Sequence, residues 1–222
     1  MTWIVLEGRG PNTMSVPMLL RLEEQVRAAG SEPLLLTGAG TAFSAGLDLH
    51  ALRDMDAAGV RDLLATIERV TLALFLHPAP TVAWVNGHAV AGGCLVVQAC
   101  DLRVASARAE TRIGMTGVAI GLRYPPFVFD ILRSRLEPRA LEEILLGARR
   151  YDVEGAHALG LLDEVVAPER AEERAQELLT ERAALPRQAY AAAKLDRRRR
   201  HLTADSAAFL DAAVPSWTAA LR

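Results

Sequence analysis

Runs of apolar residues alternate with polar or glycine-bearing breaks along the first half of the chain. Short apolar runs predict buried strands, and longer runs with apolar residues every three or four positions predict helices. Ser15, Pro17 and Gly30 mark one helix, because serine suits the N-cap, proline the first turn and glycine the end. The elements predicted up to residue 87 are strand 2–8, helix 15–30, strand 32–40, a turn entering a helix over 41–52, helix 60–76, a break at 77–80 and strand 81–87.

From residue 92 the pattern becomes mainly helical. It predicts a helix over 92–100, a strand over 101–106 and a further strand around 110–113. The helices predicted after these are 125–135, 137–147, 152–159, 168–184, 186–199 and 203–221, with a short extended stretch at 159–168. We therefore expect a mixed α/β core followed by a helical C-terminal region.

Composition narrows the class of protein. The 222 residues are 51% hydrophobic, which is enough for a large core, and the formal net charge of -2 gives no basic field for nucleic acid. No run reaches the roughly 18 uncharged apolar residues of a membrane helix, and no signal segment is recognised at the N-terminus. Cys94 and Cys100 lie six apart on one predicted helix, so we expect neither a disulfide between them nor a metal site. These features predict a soluble protein of a reducing compartment, the cytoplasm.

Two segments share one design, in which a buried strand leads through a glycine-bearing turn into a helix. They are "LLLTGAGTAFSAGLDLHAL" (34–52) and "TVAWVNGHAVAGGCLVV" (81–97). Backbone N–H groups in the first turn of a helix have no intrahelical partner and lie at the positive end of the helix dipole. Two such donors aimed at one point would polarise a carbonyl and stabilise an oxyanion. The small residues Ala45, Gly46, Gly92 and Gly93 would let a flat substrate approach the main chain.

Three stretches together resemble the crotonase (enoyl-CoA hydratase/isomerase) superfamily, in the expected order and spacing. They are "GAGTAFSAGLDLHAL" (38–52), "PTVAWVNGHAVAGGCLVVQACDLRVAS" (80–106) and "RALEEILLGARRYDVEGAHALGLLDEVVAPE" (139–169). The resemblance implies an α/β fold, a crotonase-like spiral of ββα units over 1–165, with a helical C-terminal trimerisation region over 166–222. It also implies a homotrimer or hexamer, with an acyl-CoA or acyl-carrier thioester as ligand and coenzyme A as part of the substrate. No permanently bound cofactor is expected. The oxyanion-hole N–H groups would belong to Leu47 and Gly92.

The resemblance also shows which acid groups are missing. Hydratases of this family use two glutamates, and their places fall here on Leu95 and Gly117. Since general acid–base groups contribute about 10²–10⁴-fold each, ordinary hydration is not expected. Isomerases of the family keep an apolar residue at the first place and a glutamate near the second, so Leu95 fits them and Gly117 does not.

Two residues are candidates for the missing acid or base. Tyr124 follows Gly117 by seven residues in "MTGVAIGLRY", a spacing similar to that of methylmalonyl-CoA decarboxylase-like members. A tyrosine hydroxyl could donate a proton to an enolate, although Tyr124 could equally be a packed aromatic. Asp130 would suit a general base if it were buried facing the pocket, but an ion pair with Arg133 or Arg135 is the commoner arrangement.

The ligand should lie along the first glycine turn. The family's bent coenzyme A would contact Phe43, Ser44, Ala45 and Leu47, with Gly46, Asp48, Gly93, Leu95 and Gly117 also counted as substrate-binding. Arg9 could contact a phosphate near the first helix, and Lys194 or the run Arg197–Arg200 could contact the 3′-phosphate, from the same or a neighbouring subunit. Other chemistry-bearing residues have ordinary interpretations: Asp48 caps its helix, His50 lies on the surface or at the channel rim, Asp101 is structural, and His88 and His157 have no partners at metal-ligand spacing.

Three functions remain open from the sequence. Enolate chemistry on a thioester is favoured, with double-bond isomerisation ahead of Tyr124-dependent decarboxylation because Leu95 fits the former. An accessory protein that binds a thioester without chemistry is the second class. A purely structural protein would need neither glycine turn. The apolar side chains of the last helix, Phe209, Leu210, Val214, Trp217 and Leu221, fit either subunit contact or packing on the chain's own core.

Overall fold

Eight strands form two parallel sheets in the computed structural model, which describes residues 1–203 and 207–221. The strands are β1 (Thr2–Leu6), β2 (Leu34–Gly38), β3 (Ala42–Ser44), β4 (Thr81–Val85), β5 (His88–Val90), β6 (Leu102–Ser106), β7 (Ile113–Gly114) and β8 (Glu164–Val166). The larger sheet has the order β1-β2-β4-β6-β8 and the smaller one the order β3-β5-β7. Neighbouring strands are parallel throughout both sheets.

Helices connect the strands and cover the sheets. They are α1 (Arg9–Asn12, a short irregular turn), α2 (Val16–Ala28), α3 (Leu49–Leu52), α4 (Ala57–Phe75), α5 (Gly92–Ala99), α6 (Pro126–Arg133), α7 (Pro138–Gly147), α8 (Val153–Ala158), α9 (Pro168–Ala183), α10 (Arg187–Arg199) and α11 (Ala207–Ala220). A 3₁₀ helix spans Gly117–Ile120. Because β2, β3 and α4 are followed by β4, β5 and α5, the chain repeats a ββα unit. This is the predicted crotonase-like spiral.

Local sequence explains where several helices begin. Ser15 caps α2 by accepting the Met18 N–H at 3.4 Å, and Asp56 caps α4 by accepting the Gly59 N–H at 2.8 Å. The N-cap prediction for Ser15 is therefore confirmed. The prediction of a turn that passes directly into a helix over 41–52 is wrong in part, because Ala42–Ser44 forms β3. That strand pairs with β5, and such long-range pairing overrides local propensity.

The C-terminal part of the chain packs on the core. The boundary predicted at 165/166 falls inside β8, and α9 packs its Ala175, Leu178 and Leu179 against Leu35 of β2. The predicted helix over 203–221 includes residues 204–206, which lie outside the described residues, and α11 covers the remainder. No helix in the described part of the chain is both long and apolar enough to span a membrane.

A carboxylate that is 11% exposed attaches α10 to the sheet. Asp101 accepts hydrogen bonds from the Thr81 N–H at 2.8 Å, the Tyr190 hydroxyl at 2.9 Å and the Lys194 ammonium at 2.8 Å. Its other oxygen pairs with the Arg198 guanidinium at 2.6 Å. Asp101 is thus structural, as the sequence suggested.

Candidate active site

Side-chain amides hold the two glycine turns together. The Asn86 amide at the end of β4 donates to the carbonyls of Gly38 and Gly40, both at 2.9 Å, and accepts the Gly38 N–H at 3.2 Å. The Asn12 amide donates to the carbonyls of Ala39 and Ala42, both at 2.8 Å. The Asn86 bonds join Gly38 of the first turn to a residue 48 positions later in the chain, so they fix the first turn against the second.

The turns make direct contact at Gly46 and Gly92. Gly46 has φ of +85°, and a Cβ placed there would lie 2.7 Å from the Val90 carbonyl oxygen and 3.1 Å from the Gly92 nitrogen. Glycine is therefore required both for the backbone conformation and for the close approach. Met14 holds the loop on its other side, since its N–H donates to the Gly46 carbonyl and its carbonyl accepts the Asp48 N–H.

Two backbone N–H groups at this contact have no protein acceptor in residues 1–203 and 207–221. They belong to Leu47, just before α3, and to Gly92, the first residue of α5. Ala91 precedes α5 with φ of 50° and ψ of −115°, an unusual conformation for a residue with a side chain. Both amides belong to residues that line one cavity. They are suited to receive the oxygen of a polarised carbonyl.

The cavity has a volume of about 300 Å³ and runs inward from the surface. Its outer part includes Leu49 and Ile120, which are 38% and 44% exposed. Its inner part includes Leu19, Leu64 and Val96, which are at most 1% exposed. The inner end is thus built from the apolar faces of α2, α4 and α5, and it would receive an apolar group.

Few polar side chains line this cavity. Among the described residues they are Thr71, Thr116, Tyr124, Arg150 and Trp217, whose indole N–H donates to the Arg123 carbonyl. The Thr71 hydroxyl already donates to the Ile67 carbonyl at 2.7 Å, and Arg150 is an exposed residue. Within the described ranges, 1–203 and 207–221, the lining contains no carboxylate.

Tyr124 occupies the space beside Gly117. Its hydroxyl accepts the Gly117 N–H at 2.7 Å, and a Cβ on Gly117 would lie 2.7 Å from Cε1 and 2.9 Å from the hydroxyl oxygen. Burial raises the pKa of Tyr124 to about 12, although the N–H groups of Gly117 and Val118 act in the opposite direction. The phenol therefore keeps its proton at neutral pH. Among the described residues no acceptor takes that proton, so it is available to a ligand.

The structure brings together only some of the predicted site residues. Those that line the cavity are Ala45, Leu47, Gly92, Leu95, Gly117 and Tyr124. Phe43 does not, because its side chain is fully buried in the core, and the Ser44 hydroxyl instead donates to the Asn12 carbonyl at 2.7 Å. Gly46, Asp48 and Gly93 also lie outside the lining. A Cβ on Gly93 would collide with the Ser44 carbonyl oxygen, so this glycine serves helix–strand packing.

Asp130 and Lys194 are not among the residues that line the cavity. The Asp130 carboxylate pairs with Arg133 at 2.8 Å and accepts the N–H and hydroxyl of Thr203 at 2.7 and 2.9 Å. This ion pair is the arrangement expected from the sequence as the commoner one for Asp130, and the role of general base is not supported. Lys194 is buried and bonded to Asp101, which leaves it no exposed ammonium for a coenzyme A phosphate. Arg9 is exposed and is not part of the lining.

Several lining residues were not predicted from the sequence. They come from α4, α6 and α11 and from the loop after α7: Leu64, Ile67, Thr71, Phe127, Val128, Trp217, Ala148 and Arg150. Their periodicity shows only that they belong to buried helix faces. Nothing local distinguishes a face that packs on the core from one that surrounds a cavity.

Comparison with known proteins identifies the family. The sequence profile of the enoyl-CoA hydratase/isomerase family matches residues 18–213. A Thermus thermophilus protein named "Putative enoyl-CoA hydratase" is 36% identical over 180 residues, which are 79% of this chain and 70% of that protein. Rat mitochondrial enoyl-CoA delta isomerase 1 is 27% identical over 144 residues, 65% of this chain and 50% of the rat protein. The chain thus spans between 50% and 70% of these curated relatives.

A solved structure agrees with these sequence matches. The crystal structure of enoyl-CoA hydratase EchA3 from Mycobacterium ulcerans superposes with a TM-score of 0.84 and 30% identity, over 99% of this chain and 95% of that one. The fold, the profile and the paired glycine turns agree. The chain belongs to the enoyl-CoA hydratase/isomerase family, within the crotonase superfamily.

Proposed function

We propose that this protein binds an acyl-CoA or acyl-carrier thioester and stabilises its enolate. The thioester carbonyl oxygen would accept the N–H groups of Leu47 and Gly92, and the acyl chain would extend toward Leu64 and Val96. Charge that develops on the oxygen is then met by two fixed donors, one in the loop before α3 and one at the start of α5. Family membership and the two amides without acceptors support this binding mode.

The chemistry supported best is protonation of the enolate by Tyr124, as in a decarboxylase. The observation that carries it is an available phenol proton in a cavity that has no carboxylate within its described lining. In a 2-carboxyacyl thioester, the bond from the alpha carbon to the carboxylate breaks and its electron pair forms the enolate as CO₂ leaves. The Tyr124 proton passes to the alpha carbon, and water returns a proton to the phenolate.

The apolar lining also favours loss of CO₂. Arg150, the charged side chain of the described lining, is solvent-exposed, so a carboxylate placed next to Leu95 and Tyr124 would have mainly apolar surroundings. An ion without a partner is poorly stabilised in such surroundings, whereas CO₂ is neutral. The cavity thus favours the uncharged product over the carboxylate.

Double-bond isomerisation is the second candidate. Leu95 lines the cavity at a place where isomerases of the family keep an apolar residue, and the rat isomerase is among the relatives. Isomerisation requires a base that removes an alpha proton, and a phenol with a pKa of about 12 is protonated at neutral pH. This makes decarboxylation the better fit to the geometry and reverses the order that the sequence favoured.

A panel of thioesters separates these functions. The purified protein would be incubated in D₂O with 2-carboxyacyl-, saturated acyl- and 3-enoyl-CoA compounds, and products would be read by mass spectrometry. Decarboxylation with one deuterium added at the alpha carbon, reduced at least 100-fold in Tyr124→Phe, is expected. Exchange at the alpha and gamma positions of the 3-enoyl compounds, without decarboxylation, would instead establish the isomerase.

The matched control is Tyr151→Phe, which removes a phenol that bonds to Glu143 away from the cavity. It should react like the unmodified protein. Tight thioester binding by calorimetry, with no reaction or exchange in any compound, would refute enolate chemistry and leave an accessory binding protein. Assembly as a homotrimer or hexamer stays a prediction of the family resemblance.

A further inference from the structure

The last helix holds the backbone next to Tyr124. Arg123 precedes Tyr124, and its N–H donates to the Ser216 hydroxyl at 3.3 Å while its carbonyl accepts the Trp217 indole N–H at 2.8 Å. Both backbone polar groups of Arg123 are therefore bonded to side chains of α11. Since peptide bonds are planar, fixing this residue limits where the Tyr124 side chain can lie.

Further contacts attach Arg123 to α11. Its guanidinium donates to the Ala212 carbonyl at 3.3 Å and lies 4.4 Å from the centre of the Phe209 ring. Pro215 lies inside α11 and lacks an N–H, so it cannot donate to the carbonyl of Asp211 one turn earlier. At the other side of α11, Asp211 pairs with Arg61 of α4.

Trp217 combines this attachment with a position in the site. Its side chain is 5% exposed and lines the cavity, as do Leu122 and Tyr124 on either side of Arg123. A displacement of the indole would thus act on the backbone that carries the phenol.

We infer that Trp217 is a positioning residue that sets the orientation of Tyr124 through the Arg123 carbonyl. This inference rests on the proposed role of Tyr124 as the acid. In this arrangement α11 is part of the active site, and the indole N–H, rather than only the bulk of the ring, is needed for proton transfer.

The first test reads Tyr124 directly and needs no activity. The chain has three tyrosines and three tryptophans, so protein labelled with ¹³C at tyrosine Cζ should give three resonances, assigned by Tyr→Phe variants. Trp217→Phe keeps an aromatic ring and removes the N–H, and it should shift or broaden the Tyr124 resonance alone. Ser216→Ala, which removes the acceptor of the Arg123 N–H, should affect the same resonance.

The matched control is Trp84→Phe. Its indole N–H donates to the Ser106 hydroxyl at 3.3 Å, and Trp84 does not line the cavity. This variant should leave the Tyr124 resonance unchanged. A Tyr124 resonance that Trp217→Phe does not move would overturn the positioning role, whatever the enzyme's activity.

The second test measures coupling in the decarboxylation assay. A neutral hydrogen bond contributes a free energy equivalent to about 2- to 13-fold, so Trp217→Phe should lower kcat by roughly that factor. In the Tyr124→Phe background the same change should have no further effect, because there is no acid left to position. An equal loss of kcat in both backgrounds would show that Trp217 only packs against the substrate, and would refute the inference.

The two tests also distinguish this inference from the proposed function. A shifted Tyr124 resonance with no reaction of any thioester would retain the link from Trp217 to Tyr124 and reject Tyr124 as an acid. Reaction that depends on Tyr124, with an unmoved resonance in Trp217→Phe, would retain the function and reject the positioning residue.

Discussion

Replacing Gly117 by alanine should destabilise the protein through Tyr124. The new Cβ would lie 2.7 Å from Cε1 and 2.9 Å from both Cζ and the hydroxyl oxygen of Tyr124. All three distances are shorter than those between a Cβ and non-bonded atoms in folded proteins. The ring cannot simply turn away, because its hydroxyl accepts the Gly117 N–H and Phe129 packs against it edge-on with 6.4 Å between ring centres. Overpacking of this kind costs about 1–3 kcal/mol. For a chain of this size, that corresponds to a fall in Tm of roughly 2 to 12 °C.

The assay is urea or thermal unfolding of Gly117→Ala in two backgrounds. In Tyr124→Leu the ring is absent, so the added methyl group should cost almost nothing and the two changes should couple by about 1–3 kcal/mol. Gly59→Ala in α4 is the control, because its nearest neighbour would be the Asp56 carboxylate oxygen at 3.3 Å and alanine favours helix. An equal cost of Gly117→Ala in both backgrounds would refute the idea that Tyr124 fills the space where a side chain at position 117 would lie.

Two further predictions concern buried ionisable groups. Asp101→Asn should lower the free energy of unfolding by about 3–5 kcal/mol, because it leaves the Lys194 and Arg198 cations without their carboxylate. Burial alone would raise the pKa of Asp101, but Lys194 and Arg198 hold it below the ordinary 3.8. The stabilisation by ionised Asp101 is therefore complete above about pH 4 and is lost as the pH falls. Urea unfolding at pH 7 and pH 3 checks this, because the midpoints of Asp101→Asn and the unmodified protein should lie closer together at pH 3. Cys94 and Cys100 should not react with a disulfide-containing thiol reagent in the native protein, because burial raises the pKa of each thiol to about 12. Both should react once the protein is unfolded in urea. Rapid reaction of either thiol in the native protein would contradict this prediction.

The paired glycine turns could be recognised from the sequence because each one is a local pattern. Strand, glycine and helix start appear within about twenty residues, and the N–H groups without partners follow from helix geometry. Leu47 and Gly92 were predicted in this way, with the help of the family resemblance, and both line the cavity. Gly92 and Gly93 look equivalent in the sequence, yet Gly92 lines the cavity and Gly93 packs against Ser44. Only the packing of α5 on β3 separates their roles.

The sequence by itself determined the family, the α/β class and the two glycine turns. These depend on residue identity and short spacing, which are visible along the chain. Tertiary structure alone decided that Asp130 accepts hydrogen bonds from Thr203 outside the cavity, and that Trp217 lines the cavity together with Tyr124. Both outcomes depend on contacts between segments more than seventy residues apart in the chain. Helical periodicity shows that a face is buried, but the element that covers it is chosen by the packing of the whole chain.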